Sequence, residues 1–386
     1  MTPPVARPLK VMHIITDLQV GGAEMMLSRL LAQMDPRRFE NQVVSLASEG
    51  ILGAQIRALG VQVESLGMKP GRFSAAAFLR LVSRLRSDRP DVVQTWLYHA
   101  DLLGGLAARA AGGLPVVWNL RHSSLEPGSS KRSTRAVVWL LARLSGWLPQ
   151  RIVSCSLRAE QLHVEMGYPP EKMLVIPNGF DLGLFQPDEQ ARREVRAELT
   201  IPPDAPLIGM AARYNPQKDF HNFLEAARSL SGKDGTVRFL LCGKGADLGN
   251  AELTGWLQEY GLKERFTLAG LRHDMPRLMN ALDIFSLSSA YGEAFPQTVG
   301  EAMACGIPCV VTDVGDSSYL VGETGLTVPP RDAPALAQGW EQMLGLSVAE
   351  RRSLGEQARQ RIQQNFSIAQ ITRRYEELYR QMAGRP

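Results

Sequence analysis

Only four of the 386 residues are cysteine, Cys155, Cys242, Cys305 and Cys309, and no two of them form a Cys-x-x-Cys pair. A disulfide framework is thereby excluded for a chain of this size. No apolar run approaches the length needed to span a bilayer, and the first ten residues carry prolines and basic residues without the apolar stretch of a secretory signal. The expectation is a cytoplasmic protein. An Asp-x-Asp pair of metal-binding type is also missing, since Asp313 and Asp316 are separated by Val314-Gly315. Gly306-Ile307-Pro308 interrupts any helix between Cys305 and Cys309, so these two read as a helix end and a strand start rather than as metal ligands. The first glycine loop lacks the Gly-x-Gly-x-x-Gly spacing, which removes a dehydrogenase reading.

What is present suits a two-domain α/β protein. The length exceeds that of one ordinary core and favours two domains with a cleft between them. Hydrophobic content of 45% with 21% charged residues is ordinary for a globular chain. Charge is uneven: residues 1–180 hold 21 Lys or Arg against 13 Asp or Glu, a balance of +8, and the remainder holds 22 against 26, a balance of −4. A basic first half invites an anionic partner. Short apolar runs alternate with amphipathic helical patterns in both halves, beginning with Leu9–Ile15 and then Gly21-Gly22-Ala23-Glu24 as strand, glycine turn and helix. Such alternation predicts parallel sheets covered on both faces. The stretch from Ile176 to Asp204, rich in Pro, Gly, Asn and Asp, reads as the linker, and Ser367 to Met382 as a long terminal helix.

Ligands of open α/β sheets sit beyond the carboxyl ends of the strands, and three clusters in the second half meet that condition. Arg213 and Lys218 follow one strand on a loop, where a guanidinium and an ammonium suit a diphosphate. Cys242-Gly243-Lys244-Gly245 ends another strand with glycines that permit close backbone approach. The third runs from Ser288 to Gly306 and holds Glu293 and Glu301, eight residues apart, around a helix start near Pro296. The two carboxylates can grip different hydroxyls of one ligand, and the helix start can offer amides to phosphate.

This cluster resembles the Glu-x7-Glu signature of the family-4 retaining glycosyltransferases. The likeness extends to Gly21-Gly22-Ala23-Glu24, to Asn178-Gly179-Phe180-Asp181 with Phe185, to Arg213 and Lys218, and to Gly270-Leu271-Arg272 through Asp283. It implies the GT-B fold: two Rossmann-like domains, residues 1–185 and 186–365, with an interdomain cleft and a C-terminal helix, 366–386, crossing back to the first. It further implies that Arg213 and Lys218 hold a donor diphosphate, Glu301 the ribose, and Glu293 hydroxyls of the transferred sugar. The main chain around Phe295, Pro296 and Gln297 would touch sugar and phosphate, that of Leu271 and Arg272 the base, and the Gly21-Gly22 loop the donor phosphates. Glu24 either caps its helix or touches substrate, with the capping role ranked first. The family uses no metal or other cofactor.

For the acceptor half, the family's active-site histidine follows the strand that begins at Pro115, which selects His122, although Asn119-Leu120-Arg121 replaces the usual Thr-x before it. His99 is the second candidate. No carboxylate is placed for a double displacement, so the resemblance implies same-face substitution, in which the leaving phosphate helps to deprotonate the acceptor.

The resulting expectation is transfer of a hexose-type sugar from a nucleoside diphosphate, UDP foremost, to a lipid-linked or growing glycan acceptor in envelope or exopolysaccharide synthesis. Nucleic acid is not an expected partner. Basic residues interleaved with Val137, Val138, Trp139, Leu140, Leu141, Leu144, Trp147 and Leu148 make an anionic membrane surface a candidate partner, with a packed helix carrying a basic rim as the alternative. Membrane contact would place the protein peripherally on the inner face of the cell membrane. Two rival readings keep the scaffold: a nucleotide-sugar epimerase, which lacks the Arg-x4-Lys and Glu-x7-Glu combination, and a non-catalytic nucleotide-sugar-binding module.

Overall fold

The structure is a computed structural model that describes residues 7–69, 72–121 and 132–385. The chain divides into two compact units, one formed by the segment to Gly179 together with Ile368–Pro386, the other by Phe180–Ser367.

The first unit runs β1 (Leu9–Ile15), α1 (Gly22–Gln33), β2 (Phe39–Ser45), α2 (Gly50–Ala58), β3 (Gln62–Ser65), α3 (Ala75–Asp88), β4 (Val92–Trp96), α4 (Tyr98–Ala110), β5 (Val116–Leu120), α5 (Arg132–Leu144), β6 (Arg151–Ser154), α6 (Leu157–Glu165) and β7 (Met173–Val175). The second runs α7 (Glu189–Glu198), β8 (Leu207–Ala211), α8 (Phe220–Lys233), β9 (Arg238–Cys242), α9 (Ala251–Glu259), β10 (Phe266–Gly270), α10 (Met275–Asn280), β11 (Ile284–Leu287), α11 (Gln297–Ala304), β12 (Cys309–Thr312), α12 (Ser317–Val321), β13 (Gly325–Val328), α13 (Ala333–Gly345) and α14 (Val348–Asn365). The last helix, α15 (Ile368–Met382), belongs to the first unit.

All strand pairings are parallel, in the order β3-β2-β1-β4-β5-β6-β7 and β10-β9-β8-β11-β12-β13. Parallel strands are covered on both faces, and β4, β5, β8 and β11 are accordingly buried at every position, with no alternation of buried and exposed residues. Strand order reverses between β1 and β4 in one sheet and between β8 and β11 in the other. At such a switch point the flanking loops diverge to opposite faces and leave a crevice at the carboxyl ends.

Two sequence expectations are adjusted. The boundary lies between Gly179 and Phe180 rather than after residue 185, because Phe180 and Phe185 are buried in the second unit's core. The linker stretch is also partly helical. Its segment 189–198 forms α7, capped by the Asp188 carboxylate, which accepts from the amides of Gln190 and Ala191 at 2.9 Å each. Arg192 and Arg196 of α7 each bond Asp283 at 2.7 Å, fixing the helix to the start of β11. In the first unit, Ile371, Tyr375, Leu378 and Tyr379 of α15 pack with residues of β1 and α1 in one core, which is why the terminal helix joins this unit. Its apolar positions recur at three and four residues and so form one stripe.

Candidate functional site

The second unit's switch point builds the best-defined constellation. After β8 the chain passes Ala212 and Arg213 into a short 3-10 turn, Pro216–Lys218, started by Asn215, whose side chain accepts from the Lys218 amide at 3.2 Å. Asp219 then takes a left-handed conformation, φ 47°, and caps α8 through Asn222 N–H at 3.2 Å. After β11 the chain runs through Ser288 and Ser289 to Glu293. The two loops are laced together: Ala290 N–H donates to Gln217 O at 2.8 Å, and the Ser288 hydroxyl contacts the carbonyls of Lys218 at 2.8 Å and Asp219 at 3.1 Å.

This lacing delivers Lys218 Nζ directly onto Glu293 Oε1. The same oxygen accepts from the Ser289 hydroxyl at 2.5 Å. Glu293 is only 7% exposed, so an unpaired carboxylate there would be costly, and the ammonium and hydroxyl satisfy it. Ser288, Ser289 and Asn215 were not singled out as site residues from the sequence. Their position immediately after a strand was the available signal. Arg213 differs from Lys218: it is exposed and, among the described residues, has no ion-pair partner.

Glycines shape this crevice where a side chain could not fit. Gly243, φ 134°, lies so close to the Ala212 carbonyl that any Cβ would overlap it, which brings the ends of β8 and β9 together. Gly315, φ 62°, likewise presses on the carbonyl of Glu293 and holds that loop from behind.

Pro296 precedes α11, and no side chain caps the helix start. Glu301, 7% exposed, sits on that helix; burial pushes the nearby Cys305 thiol up to about 12, with Arg359 opposing and the Glu301 charge adding to it. Phe295 is 4% exposed, stacks on Phe180 at 6.2 Å and meets Phe366 in a tilted contact at 5.4 Å between ring centroids, so only its main chain is available to a ligand. Gly300 lies against the Phe180 ring with no room for a Cβ. The Arg272 guanidinium is fully engaged, by Asp274 at 2.8 and 2.6 Å and by Glu198 at 2.5 and 3.4 Å, and these carboxylates raise its pKa further. Leu271 beside it is 63% exposed.

In the first unit, Gly21 is the N-cap of α1, without a side-chain cap, and Gly22 has open space where a Cβ would lie. Glu24 turns back onto that helix start, so closely that a Cβ at Gly21 would overlap its carboxylate; burial raises its pKa. His122 lies outside the described residues. His99 is half-buried in the first turn of α4, and burial lowers its pKa, favouring the neutral imidazole. Leu97, before α4, adopts φ 75°, a strained conformation for a branched side chain.

Arg121, at the end of β5, is a residue the sequence reading did not assign. It donates to Asn178 Oδ1 at 2.5 Å and to Tyr375 Oη at 2.9 Å, and lies over the Trp96 ring at 4.8 Å. Asn119 Nδ2 also donates to Tyr375 Oη, at 3.0 Å. Asp101 is fully buried behind this network, accepting from the Thr95 hydroxyl at 2.5 Å and from Asn119 N–H at 3.3 Å; burial raises its pKa to about 8. Among the described residues no three His, Cys, Asp or Glu side chains group as a metal site, and no helix is long and apolar enough to cross a membrane.

Two doubly wound parallel sheets, one carrying a cationic and carboxylate-lined crevice at its switch point, define a GT-B protein. The Anabaena protein HepE, solved in complex with UDP, superposes with a TM-score of 0.83 over 96% of this chain and 99% of its own, at 23% identity. Sequence profiles described as Glycosyltransferase Family 4 and as Glycosyl transferases group 1 match residues 20–184 and 191–361. The chain belongs to the family-4 glycosyltransferases. It is 28% identical to the Escherichia coli UDP-Gal:alpha-D-GlcNAc-diphosphoundecaprenol alpha-1,3-galactosyltransferase over 64% of this chain and 63% of that protein. It is 27% identical to the putative glycosyltransferase EpsF of Bacillus subtilis over 79% of each. The chain thus spans less than two-thirds of the length of the first of these relatives and about four-fifths of the second.

Proposed function

We propose that the protein transfers a hexose-type sugar from a UDP-sugar to a lipid-linked or growing glycan acceptor in envelope or exopolysaccharide synthesis, with retention of configuration and without a metal. The observation that carries this reading is the Lys218–Glu293 pair at the β8/β11 switch point, with Arg213 exposed on the same loop as Lys218. The name of the Escherichia coli relative, whose acceptor is diphosphoundecaprenol-linked, supports a lipid-linked acceptor.

In this reading the donor diphosphate draws Lys218 away from Glu293 and meets Arg213. Negative charge grows on the phosphate oxygen as its bond to the anomeric carbon breaks, so both cations act more strongly at the transition state than before it. Glu293, released from the ammonium, accepts hydrogen bonds from sugar hydroxyls while Ser289 keeps it oriented. The acceptor oxygen attacks on the face the phosphate leaves, and its proton passes to that phosphate. Glu301 takes the ribose, and the backbone at Leu271 and Arg272 the base. The first unit takes the acceptor, with His122 or His99 relaying a proton or bonding a hydroxyl.

The test is a thermal-shift screen of UDP-, GDP- and ADP-sugars, since a donor that binds only the folded state raises the melting temperature. Stabilisation by UDP-sugars above the others supports the reading. No shift with any nucleoside diphosphate would overturn it.

A further inference from the structure

We infer that the outer surface of the α3–α4–α5 layer docks on an anionic lipid bilayer. This goes beyond the lipid-linked acceptor of the previous section, and its test needs neither donor nor acceptor. α3 packs on α4 and α4 on α5. Their inward residues, including Leu81, Leu85, Ala107, Val138 and Leu141, share one core with Met12, Ile14, Val93 and Val116 of the sheet. The three helices therefore lie side by side on one sheet face, and their opposite sides form one outer surface.

That surface is apolar where folding does not require it. Val138 and Leu141 already anchor α5, yet Trp139 is 57% and Leu140 37% exposed; Leu79 on α3 is 64% and Trp147 after α5 56% exposed. Several large apolar side chains left open on one helical layer mark an interaction surface, as single scattered ones would not. The Trp147 loop is also held firmly. Lys172 Nζ donates to the carbonyls of Ser145, Gly146 and Pro149 at 3.3, 2.6 and 2.8 Å, so the indole is presented from a braced turn.

Charge identifies the partner. Arg143 lies over the Trp139 ring at 3.5 Å and Arg109 over the Trp147 ring at 5.4 Å, while Arg86 reaches from α3 to the Ala110 carbonyl at 2.8 Å. The layer has almost no acid to offset them: α5 carries none, Asp101 of α4 is fully buried, and Asp88 of α3 is paired with Arg84 at 2.9 Å. Arginine stacked on tryptophan, on an acid-free helical face, matches the boundary of an anionic bilayer, where indoles settle among headgroups and guanidinium groups meet lipid phosphates.

The experiment is co-sedimentation of the full chain with phosphatidylcholine vesicles, with and without phosphatidylglycerol, read together with tryptophan fluorescence. Binding to the phosphatidylglycerol vesicles with a blue-shifted emission, weakened by salt, is expected. Trp139→Ala with Trp147→Ala should lower partitioning about tenfold or more, and Arg109→Gln with Arg143→Gln should remove the preference for phosphatidylglycerol. UDP-induced thermal stabilisation should persist in both variants, because these residues belong to the first unit whereas the crevice after β8 and β11 is built by the second, and that readout also reports whether the variants fold. No binding at low salt, or binding indifferent to the tryptophans, overturns the inference. So does self-association that depends on the tryptophans without vesicle binding. Absence of UDP stabilisation in the unaltered protein would count against the donor reading alone.

Discussion

Lys218 and Glu293, 75 residues apart in sequence, form an ion pair in which the ammonium neutralises the carboxylate proposed above to take the sugar. Both side chains are largely shielded from water, with 18% and 8% of their surfaces exposed. The crevice thus holds its two opposite charges against each other, and a donor bound as proposed would separate them.

Replacing Glu293 by Gln removes the competitor for Lys218. UDP affinity should hold or tighten, while kcat falls roughly a hundredfold because hydroxyl contacts weaken. Calorimetric titration with UDP and steady-state rates check this; equal losses of affinity and turnover would show that the carboxylate serves nucleotide binding.

Arg213→Ala and Lys218→Ala should each lower kcat by roughly 10²–10³, the range for loss of one preorganised charge-stabilising group. They should differ in stability. Arg213 is exposed and its loss should leave the melting temperature unchanged, whereas loss of Lys218 strands buried Glu293 and should lower it. Melting curves beside the kinetics distinguish the two.

Gly243→Ala must place a Cβ on the Ala212 carbonyl at φ 134°. A destabilisation of at least ~2 kcal/mol is expected, from strain and overlap together, with loss of UDP binding as the β8 loop is displaced. Denaturant unfolding measures the first and titration the second. Near-normal stability would mean that the two loops separate at little cost.

Asp101 makes stability depend on pH. A carboxyl in the unfolded chain ionises near 4, whereas burial raises Asp101 to about 8 in the fold. Between those values the folded protein keeps a proton that the unfolded chain releases, so this contribution is complete below about pH 4 and is lost as pH rises through about 8. His13 acts oppositely: burial lowers it to about 4, so its contribution is lost as pH falls from about 6.5 towards 4. Asp101→Asn should gain on the unaltered protein by up to about 1.4 kcal/mol per pH unit within the Asp101 window. Parallel denaturation curves at mildly acidic and mildly alkaline pH give the comparison, and a constant difference would show Asp101 ionised throughout.

The sequence by itself determined the elements and the class. Strand runs, helical spacing and capping residues act over a few neighbours, so the alternation of β and α is legible in both halves, as is the position of Glu293 and Glu301 around one helix start. Arg213 and Lys218 were legible for the same reason, since both simply follow a strand. Tertiary structure decided which of these groups meet. The pairing of Lys218 with Glu293 and Ser289 follows from β8 lying beside β11, an order that no local pattern encodes. Arg121 joins Tyr375 because α15 belongs to the first unit, bringing together residues 254 positions apart. Burial is likewise collective: Val138 and Trp139 are adjacent and both apolar, yet packing on the sheet hides the first and leaves the second to the solvent. Contacts between distant segments depend on strand order and on the faces that helices turn to the sheet, and these are set only when the whole core condenses.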